Sequence, residues 1–194
     1  MSRTLKNIPQ DNFFRLLNLS VSFDIDREKL NNNYHEIQKS IHPDNYANSS
    51  ALERRISVQK AAQVNDALQT LKSPLLRSIY LLSLYGIELA ENNTTVDPAF
   101  LMEQMELRES LAQVAVKDDP FAELDKILDD VKSRIKMLIA DLSSRFQQLL
   151  LNKYEQSEQQ KLLQDIKTQV LKMQFLNRVQ EECMNKEEEL TDQL

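Results

Sequence analysis

Apolar residues recur at intervals of three and four along most of the chain, and this spacing predicts a succession of amphipathic helices. In the first half, the pattern predicts a short helix capped by Asp11, a helix that begins at Asp24 or Asp26, and further helices over about 51–71 and 75–85. For the last of these, Ser73 is expected as the cap, Pro74 at the first position and Gly86 just after the end. The second helix buries one row of apolar side chains, which consists of Leu30, Tyr34, Ile37 and Ile41. The second and third helices are therefore expected to pack as a helical hairpin.

Proline and capping residues mark the helices of the second half. Asp97 and Pro98 begin a helix that is predicted to reach about Val116, and a long helix over residues 121–150 follows. The long helix has a continuous apolar stripe, which consists of Phe121, Leu124, Leu128, Val131, Ile135, Leu138, Leu142, Phe146 and Leu149. A last helix over about 157–185 is expected to bury Leu162, Ile166, Val170 and Met173.

The fold class predicted from this pattern is all-α, with two helical halves. Residues 1–86 form the first domain, of which residues 1–9 are a polar tail, and residues 97–194 form a three-helix bundle. Residues 87–96 are expected to be the linker, and the acidic residues 186–194 a frayed end. The single glycine in 194 residues agrees with an all-α fold, because few turns can require a positive φ.

The composition argues against several classes of function. The net charge of −6 is unlike the basic surface that nucleic-acid-binding proteins usually have. The chain has no run of 18 apolar residues to span a membrane, and its first ten residues lack the apolar run of a signal peptide. Cys183 is the only cysteine, so an internal disulfide is impossible and a buried thiol is expected. We expect a cytoplasmic protein that binds neither nucleic acid nor membrane.

The titratable residues form no catalytic or metal-binding pattern. The two histidines, His35 and His42, lie on or near one helix, and Cys183 is remote from them in sequence. A zinc site needs three or four ligands at suitable spacing, and the glycine motifs that bind phosphate are absent from the sequence. We expect a protein without enzyme activity, cofactor or metal.

The tripeptide His42-Pro43-Asp44 follows the second predicted helix. Proline cannot continue a helix and moves the preceding residue out of the α region, so the tripeptide is expected at a loop tip. Loop tips on rigid scaffolds often bear binding residues. The alternative is a plain helix end, at which Pro43 stops one helix and Asp44 caps the next.

The helix that begins at Asp97 has more apolar residues than one buried face needs. One side consists of Phe100, Leu107, Leu111 and Val114, and the other of Leu101, Met102 and Met105 beside Glu106, Glu109 and Gln113. The second side is typical of a partner site, but a three-helix bundle can bury a broad arc, and the pattern favours neither interpretation. The last helix has a similar row at Leu171, Phe175 and Val179, for which burial is favoured, with Phe175 the best candidate for a partner contact.

Several stretches resemble a known family. Residues 34–44, which end in the tripeptide, and the later Asn65-Asp66-Ala67 resemble a J-domain. Residues 71–82 (Leu-Lys-Ser-Pro-Leu-Leu-Arg-Ser-Ile-Tyr-Leu-Leu) and 100–109 (Phe-Leu-Met-Glu-Gln-Met-Glu-Leu-Arg-Glu) resemble one branch of it, the HscB co-chaperones of iron–sulfur cluster assembly. The resemblance extends over about residues 11–185.

The resemblance implies an adaptor that stimulates the ATPase of a DnaK-type chaperone, HscA, and delivers the iron–sulfur scaffold protein IscU to it. The J-domain then corresponds to residues 1–86 and the scaffold-binding domain to residues 97–194. The implied chaperone-binding residues are His42, Pro43, Asp44, Lys39, Arg27 and His35. The implied scaffold-binding residues are Leu101, Met102, Met105, Glu106, Glu109, Gln113 and Phe175.

Three positions depart from the family pattern. Asn45 replaces the basic residue that usually follows the tripeptide, Gln113 stands where an acidic residue is common, and Glu36 adds a negative charge to the docking helix. Such changes affect association rate and partner choice. The zinc-binding cysteines of some eukaryotic members are absent, which indicates a bacterial form. Two alternatives stay open: a general J-protein that presents unfolded chains to DnaK, and a structural helical protein in which the tripeptide is incidental.

Overall fold

The computed structural model describes residues 8–9, 11–41, 50–89, 97–151 and 155–192. Over these residues the chain forms seven α-helices and no strand. The helices are α1 Phe13–Leu16, α2 Arg27–Ile41, α3 Ala51–Lys72, α4 Pro74–Leu84, α5 Pro98–Ala112, α6 Pro120–Leu150 and α7 Gln156–Thr191, with a 3-10 turn at Val114–Val116. The prediction of an all-α fold is confirmed.

The chain divides into two compact units. The first comprises Met1–Glu88 and Phe146–Tyr154, and the second comprises Leu89–Arg145 and Glu155–Leu194. The C-terminal end of α6 thus belongs to the first unit, and the rest of α6 belongs to the second. The linker predicted at residues 87–96 lies mostly outside the described residues, and the predicted domain boundaries stay predictions.

Side-chain caps fix where the first helices begin. Asn12 caps α1 by accepting a hydrogen bond from the Arg15 amide at 3.0 Å, so the prediction of Asp11 as the cap is wrong. The side chain just before the first helical residue is the one that reaches these amides, and Asp11 lies one residue too early. Asp26 precedes α2, as one of the two predicted start points, and accepts hydrogen bonds from two first-turn amides at 2.9 and 3.0 Å.

The predicted hairpin is formed by α2 and α3, which run antiparallel. Tyr34 is hydrogen-bonded to Asn65, and Ile41, seven residues later on α2, is hydrogen-bonded to Ser57, earlier on α3. The fully buried apolar residues of the two helices are Leu30, Val64, Ala67 and Leu71. Of the apolar row predicted to be buried on α2, only Leu30 is fully buried, whereas Tyr34, Ile37 and Ile41 are half-buried.

The helix α4 begins and ends at the residues that the sequence indicates. Ser73 caps it by accepting from the Leu76 amide at 3.3 Å, and Pro74 occupies the first helical position. Gly86, the only glycine of the chain, follows the C-cap with a φ of 78°, a conformation that glycine adopts without steric cost.

A buried arginine connects several elements of the first unit. Arg77 is 6% exposed, its Nη1 donates to the Leu71 carbonyl at 3.0 Å, and its guanidinium lies 5.0 Å from the Phe23 ring centre. Phe23 in turn stacks on Phe146 at a ring separation of 5.4 Å. Burial lowers the pKa of Arg77 to about 10, so the side chain is still charged at neutral pH.

In the second unit, α5, α6 and α7 surround one apolar core. Its buried residues are Phe100, Leu111, Val114, Leu124, Ile127, Val131, Phe175, Leu176, Val179, Cys183 and Leu190. Asp119 caps α6 by accepting from the Ala122 amide at 3.0 Å. Cys183 is 1% exposed, as expected for a buried thiol, and burial together with the nearby Glu182 charge raises its pKa.

The inner faces of this unit differ from the prediction at two places. The first helix of the unit ends at Ala112, and Val114 stays fully buried in the tighter 3-10 turn that follows. On α7, Leu163 is fully buried, whereas Leu162 is only half-buried. The helical period does not choose between the two leucines, because both lie at similar angles to the row formed by Ile166, Val170 and Met173.

The acidic C-terminal segment is helical as far as it is described. The helix α7 continues to Thr191, so the prediction of a frayed end over residues 186–194 is wrong up to that point. Leu190 is 8% exposed and belongs to the core of the second unit. Lys186 pairs with Glu189 at 2.8 Å. Burial of Leu190 therefore stabilises the helix in a segment that its acidic composition predicted to be frayed.

Candidate partner-docking surfaces

The outer side of α2 presents the charged residues that the sequence proposes for chaperone contact. Arg27, His35 and Lys39, here called the α2 charged face, are all exposed. His35 and Lys39 lie one turn apart, and Arg27 lies more than two turns earlier on the same helix. Leu30 on the same helix is 1% exposed. The helix therefore separates a buried apolar side from a solvated side that bears charges of both signs, because Glu28 and Glu36 are exposed as well.

A small hydrogen-bond network holds α2 against α3. The Tyr34 hydroxyl donates to the Asn65 Oδ1 at 2.9 Å. The Gln38 Nε2 donates both to the Tyr34 hydroxyl at 2.9 Å and to the same Asn65 oxygen at 2.8 Å. These hydrogen bonds connect two side chains of α2 with one of α3. They restrict sliding of the two helices and so orient the α2 charged face.

The tripeptide His42-Pro43-Asp44 lies outside the described residues, but both of its flanking anchors are described. On the α2 side, the buried hydroxyl of Ser57 donates to the Ile41 carbonyl at 2.9 Å. On the α3 side, Ser50 and Glu53 form a capping box. The helix end before the tripeptide and the helix start after it are therefore both fixed by side chains of α3 or its cap.

The capping box is a feature that the sequence interpretation missed, although its signature is readable. Ser50 and Glu53 have the Ser-x-x-Glu spacing that is typical of a helix N-terminus. The Ser50 amide and hydroxyl donate to Glu53 Oε2 at 2.9 and 2.8 Å, and the Glu53 amide donates back to the Ser50 hydroxyl at 3.3 Å. Hydrogen bonds from the Ser50 hydroxyl and amide hold the pKa of Glu53 below its usual value.

The second surface lies on α5 and is apolar. Leu101, Met102 and Met105, here called the α5 apolar row, are exposed by 39%, 63% and 72%. The opposite side of the helix is in the core, where Phe100 and Leu111 are buried and Leu107 packs against them. The interpretation that the bundle buries the second side of α5 is therefore excluded, and the row is open to a partner.

Polar residues border the α5 apolar row. Glu106, Glu109 and Gln113 are exposed, and the Gln113 Nε2 donates to Glu109 Oε1 at 3.2 Å. All three proposed polar scaffold contacts thus share the outer side of α5 with the apolar row. The arrangement is an apolar strip with a mostly acidic edge, which suits an apolar partner surface with basic residues at its rim.

Ion pairs tie both sides of α5 to its neighbours. Asp97, at the start of the helix, pairs with Lys172 of α7 at 3.2 Å, and this hydrogen bond lowers the pKa of Asp97. Glu103 pairs with Arg134 of α6 at 3.5 Å. Because these contacts and the buried core fix the rotation of α5, the apolar row is held outward.

Phe175 does not join this surface as an exposed residue. It is 7% exposed and belongs to the core, with its ring edge packed against Phe100 at a centre separation of 5.6 Å. The guanidinium of Arg108 lies 5.5 Å from the centre of the Phe175 ring. The burial that the sequence favours for its row is therefore confirmed for Phe175, which packs against Phe100 of α5. Its role in partner binding stays a prediction.

Comparison with known proteins identifies the class of the chain. Residues 96–184 match the family described as the HSCB C-terminal oligomerisation domain. The curated relative from Shewanella pealeana, named co-chaperone protein HscB homolog, is 38% identical over 93% of this chain and 99% of its own length. The relative of the same name from Shewanella baltica is 41% identical with the same coverage. The class is thus that of the co-chaperones.

Solved structures agree with this class. The chaperone HscB from Vibrio cholerae is 38% identical, with a TM-score of 0.78 over 93% of this chain and 99% of that one. The human co-chaperone protein HscB is 31% identical, with a TM-score of 0.79 over 92% of this chain and 83% of that one. The chain belongs to the HscB family of co-chaperones, and the family predicted from its motifs is confirmed.

None of the helices described here combines the length and the apolar character that crossing a membrane requires. The structure describes all seven residues proposed for scaffold binding and three of the six proposed for chaperone binding. Their assignment to particular partners stays a prediction.

Proposed function

We propose that this protein is the adaptor of an iron–sulfur cluster assembly system. In this proposal it stimulates the ATPase of a DnaK-type chaperone of the HscA kind and delivers an IscU-type scaffold protein to it. The observation that carries the proposal is the combination of an HPD tripeptide in one unit with the exposed α5 apolar row in the other. A co-chaperone that only activated ATP hydrolysis would not need the second surface.

The chaperone contact is assigned to the α2 charged face together with the tripeptide His42-Pro43-Asp44. Arg27 and Lys39 are exposed cations, and His35 is exposed one turn before Lys39. Cationic side chains on a rigid helix suit an acidic chaperone surface, for which they raise the association rate and fix the orientation of docking. ATP hydrolysis takes place in the chaperone, so the chemistry belongs to the partner and this chain acts through contact alone.

The scaffold contact is assigned to the α5 apolar row and its polar border. Side chains exposed by 63% and 72% bury large apolar areas when a partner covers them. Methionine side chains adapt to partner surfaces of different shape, which suits a surface that holds a protein client. Presenting the scaffold on the protein that recruits the chaperone raises the local concentration of the client.

We further infer a cytoplasmic location in a bacterial cell. The relatives from two Shewanella species and the solved protein from Vibrio cholerae are bacterial. The chain has one buried cysteine and therefore no means of forming an internal disulfide, which agrees with a reducing compartment.

The steady-state ATPase rate of the chaperone tests the proposal. We would measure an HscA-type and a DnaK-type chaperone, each alone, with this protein, with the scaffold, and with both. Stimulation of the HscA-type chaperone that rises further when the scaffold is added is the expected result. Stimulation of DnaK that does not need the scaffold would favour a general J-protein. Absence of stimulation in every mixture would contradict the proposal.

A further inference from the structure

The methionines of the chain differ sharply in exposure. The described part contains five of the six, and two of them, Met102 and Met105, belong to the α5 apolar row with 63% and 72% exposed. Met137 on α6 is also 63% exposed, Met184 on α7 is 44% exposed, and Met173 in the core is 1% exposed. Two of the three most exposed thioethers therefore lie on the proposed scaffold contact.

We propose that Met102 and Met105 form a reversible oxidation site that controls partner binding at the α5 apolar row. The oxidant is a peroxide, of which hydrogen peroxide is the simplest. A lone pair of the thioether sulfur attacks one peroxide oxygen, the O–O bond breaks, and proton transfer releases water. The sulfur loses two electrons and becomes a sulfoxide, and the peroxide is reduced. Thiol-dependent sulfoxide reductases reverse this modification.

The chemistry follows from the exposure and the position of the two side chains. A thioether sulfur must be reached by the oxidant, and more than half of each side chain is open to solvent. A sulfoxide is polar and chiral, so it replaces the flexible apolar side chain with a group that must be desolvated when a partner covers it. Leu101, exposed by 39%, is the only other member of the row and cannot be oxidised in this way.

The inference rests on the proposed function, because it concerns regulation of the same surface. It also has a second consequence. If the scaffold covers the two methionines when it binds, it should slow their oxidation, because peroxide can no longer reach their sulfur atoms. Met137 is a matched internal control, because it has the same exposed fraction as Met102 but lies on α6 in a groove lined by Phe100 and Lys172.

The experiment exposes the full-length protein to dilute hydrogen peroxide, with and without a scaffold of the IscU kind. Peptide mass spectrometry then gives the oxidation rate of each methionine. Without scaffold, Met102, Met105 and Met137 are expected to react fast, Met184 more slowly and Met173 not at all. With scaffold, only Met102 and Met105 should be protected. Equal protection of Met137, or protection of none, would contradict the assignment of the site.

Calorimetric titration of the scaffold then measures the effect on binding. Oxidised protein is expected to bind about tenfold more weakly, as for loss of one anchor residue in an interface. The matched variant Met102→Leu with Met105→Leu has no thioether in the row, so peroxide treatment should leave its affinity at the value that the untreated variant has. If oxidised and untreated wild-type protein bind the scaffold with equal affinity, the proposed oxidation site is contradicted, whereas the proposed function is not. Failure of untreated wild-type protein to bind any scaffold would instead overturn the proposed function.

Discussion

The α2 charged face and the α5 apolar row are both exposed helix surfaces, but they differ in chemistry. On α2, basic residues stand on a helix that is fixed by the network of Tyr34, Gln38 and Asn65. On α5, apolar side chains stand on a helix whose other side is in the core. Charged contacts mainly set association rate and orientation, and buried apolar contacts mainly set affinity.

This difference fits the two tasks of an adaptor. A co-chaperone that activates ATP hydrolysis must meet the chaperone quickly, in one orientation, and leave again, so affinity is less important than geometry. A client that is carried must stay bound until it is handed over, so a desolvated apolar contact is more useful. Because the two surfaces lie in different compact units, a change in one should leave the other intact.

The largest expected effect comes from Asp44→Asn. The substitution removes the negative charge of the tripeptide and keeps the size of the side chain. We expect stimulation of the chaperone ATPase to be lost entirely, while calorimetry still finds the scaffold bound with wild-type affinity. Loss of both activities would contradict the separation of the two surfaces. Unchanged stimulation would indicate that the tripeptide is incidental.

The second largest effect is expected from Leu101→Ala combined with Met105→Ala. The two truncations remove apolar area from the α5 apolar row and should weaken scaffold binding by about 1–4 kcal/mol if these side chains are anchors. The matched control is Met137→Ala, which truncates a methionine on α6 that is 63% exposed. Calorimetry with the isolated scaffold gives the binding affinity of the wild type, the double variant and Met137→Ala.

Two outcomes of that comparison would break the assignment of the row. An unchanged affinity of the double variant would show that the α5 apolar row does not contribute to scaffold binding. An equal loss for Met137→Ala would show that the scaffold contact is not confined to α5. ATPase stimulation by the double variant in the absence of scaffold should equal that of the wild type, because the α2 charged face is untouched.

Much of the fold was predictable because its signals are local. Ser73 with Pro74, and Asp97 with Pro98, begin helices at the predicted residues, and Gly86 follows a helix C-cap at the only place where glycine occurs. A cap acts within one turn of its own helix, so the sequence alone contains the necessary information. The helical period placed Met102 and Met105 opposite Phe100, but it left open whether the bundle covers that side, and the structure shows that both are exposed.

The rest depended on contacts between residues that are distant in the chain. The rotation of its row from the main stripe of α7 made Phe175 a candidate for a partner contact, although burial was favoured, and the contact with Phe100 of α5 decides for burial. Leu190 was assigned to a frayed end because its neighbours are acidic, yet it reaches the core. Periodicity gives the faces of one helix, whereas the choice of which faces are covered is made by the neighbouring helices.

A smaller effect on the first unit is expected from Ser57→Ala. The substitution removes the hydroxyl that donates to the Ile41 carbonyl and should lower the free energy of unfolding by about 1 kcal/mol. The end of α2 next to the tripeptide is then less well held, so stimulation of the ATPase should fall several-fold while scaffold binding is unchanged. Urea titration and the ATPase assay measure the two effects.

Ser78→Ala is the matched control for this variant. Ser78 is also a buried serine of the first unit, and its hydroxyl donates to the Pro74 carbonyl at 2.7 Å within α4. We expect a loss of stability of similar size without loss of stimulation. If both variants reduced ATPase stimulation in proportion to their loss of stability, the hydrogen bond between Ser57 and Ile41 would have no specific role in stimulation.

The smallest effect is expected from Glu53→Gln, which tests the anchor on the other side of the tripeptide. Hydrogen bonds from Ser50 lower the pKa of Glu53 from 4.5 in the folded state, so folding favours the carboxylate. Its contribution to the free energy of unfolding is therefore fully present above about pH 4.5 and is lost as the pH falls through the lowered folded-state pKa.

Urea titrations at several pH values from about 7 to about 3 should show the stability of wild type and Glu53→Gln converging at low pH. Glu158→Gln is the control, since Glu158 occupies the equivalent first-turn position of α7, where the N-cap makes no side-chain hydrogen bond. If the difference in the free energy of unfolding between wild type and Glu53→Gln persisted unchanged to low pH, the charge of Glu53 would not strengthen the cap. Because Glu53 is at the surface, water screens its interactions, and the buried Ser57 should prove the stronger of the two anchors.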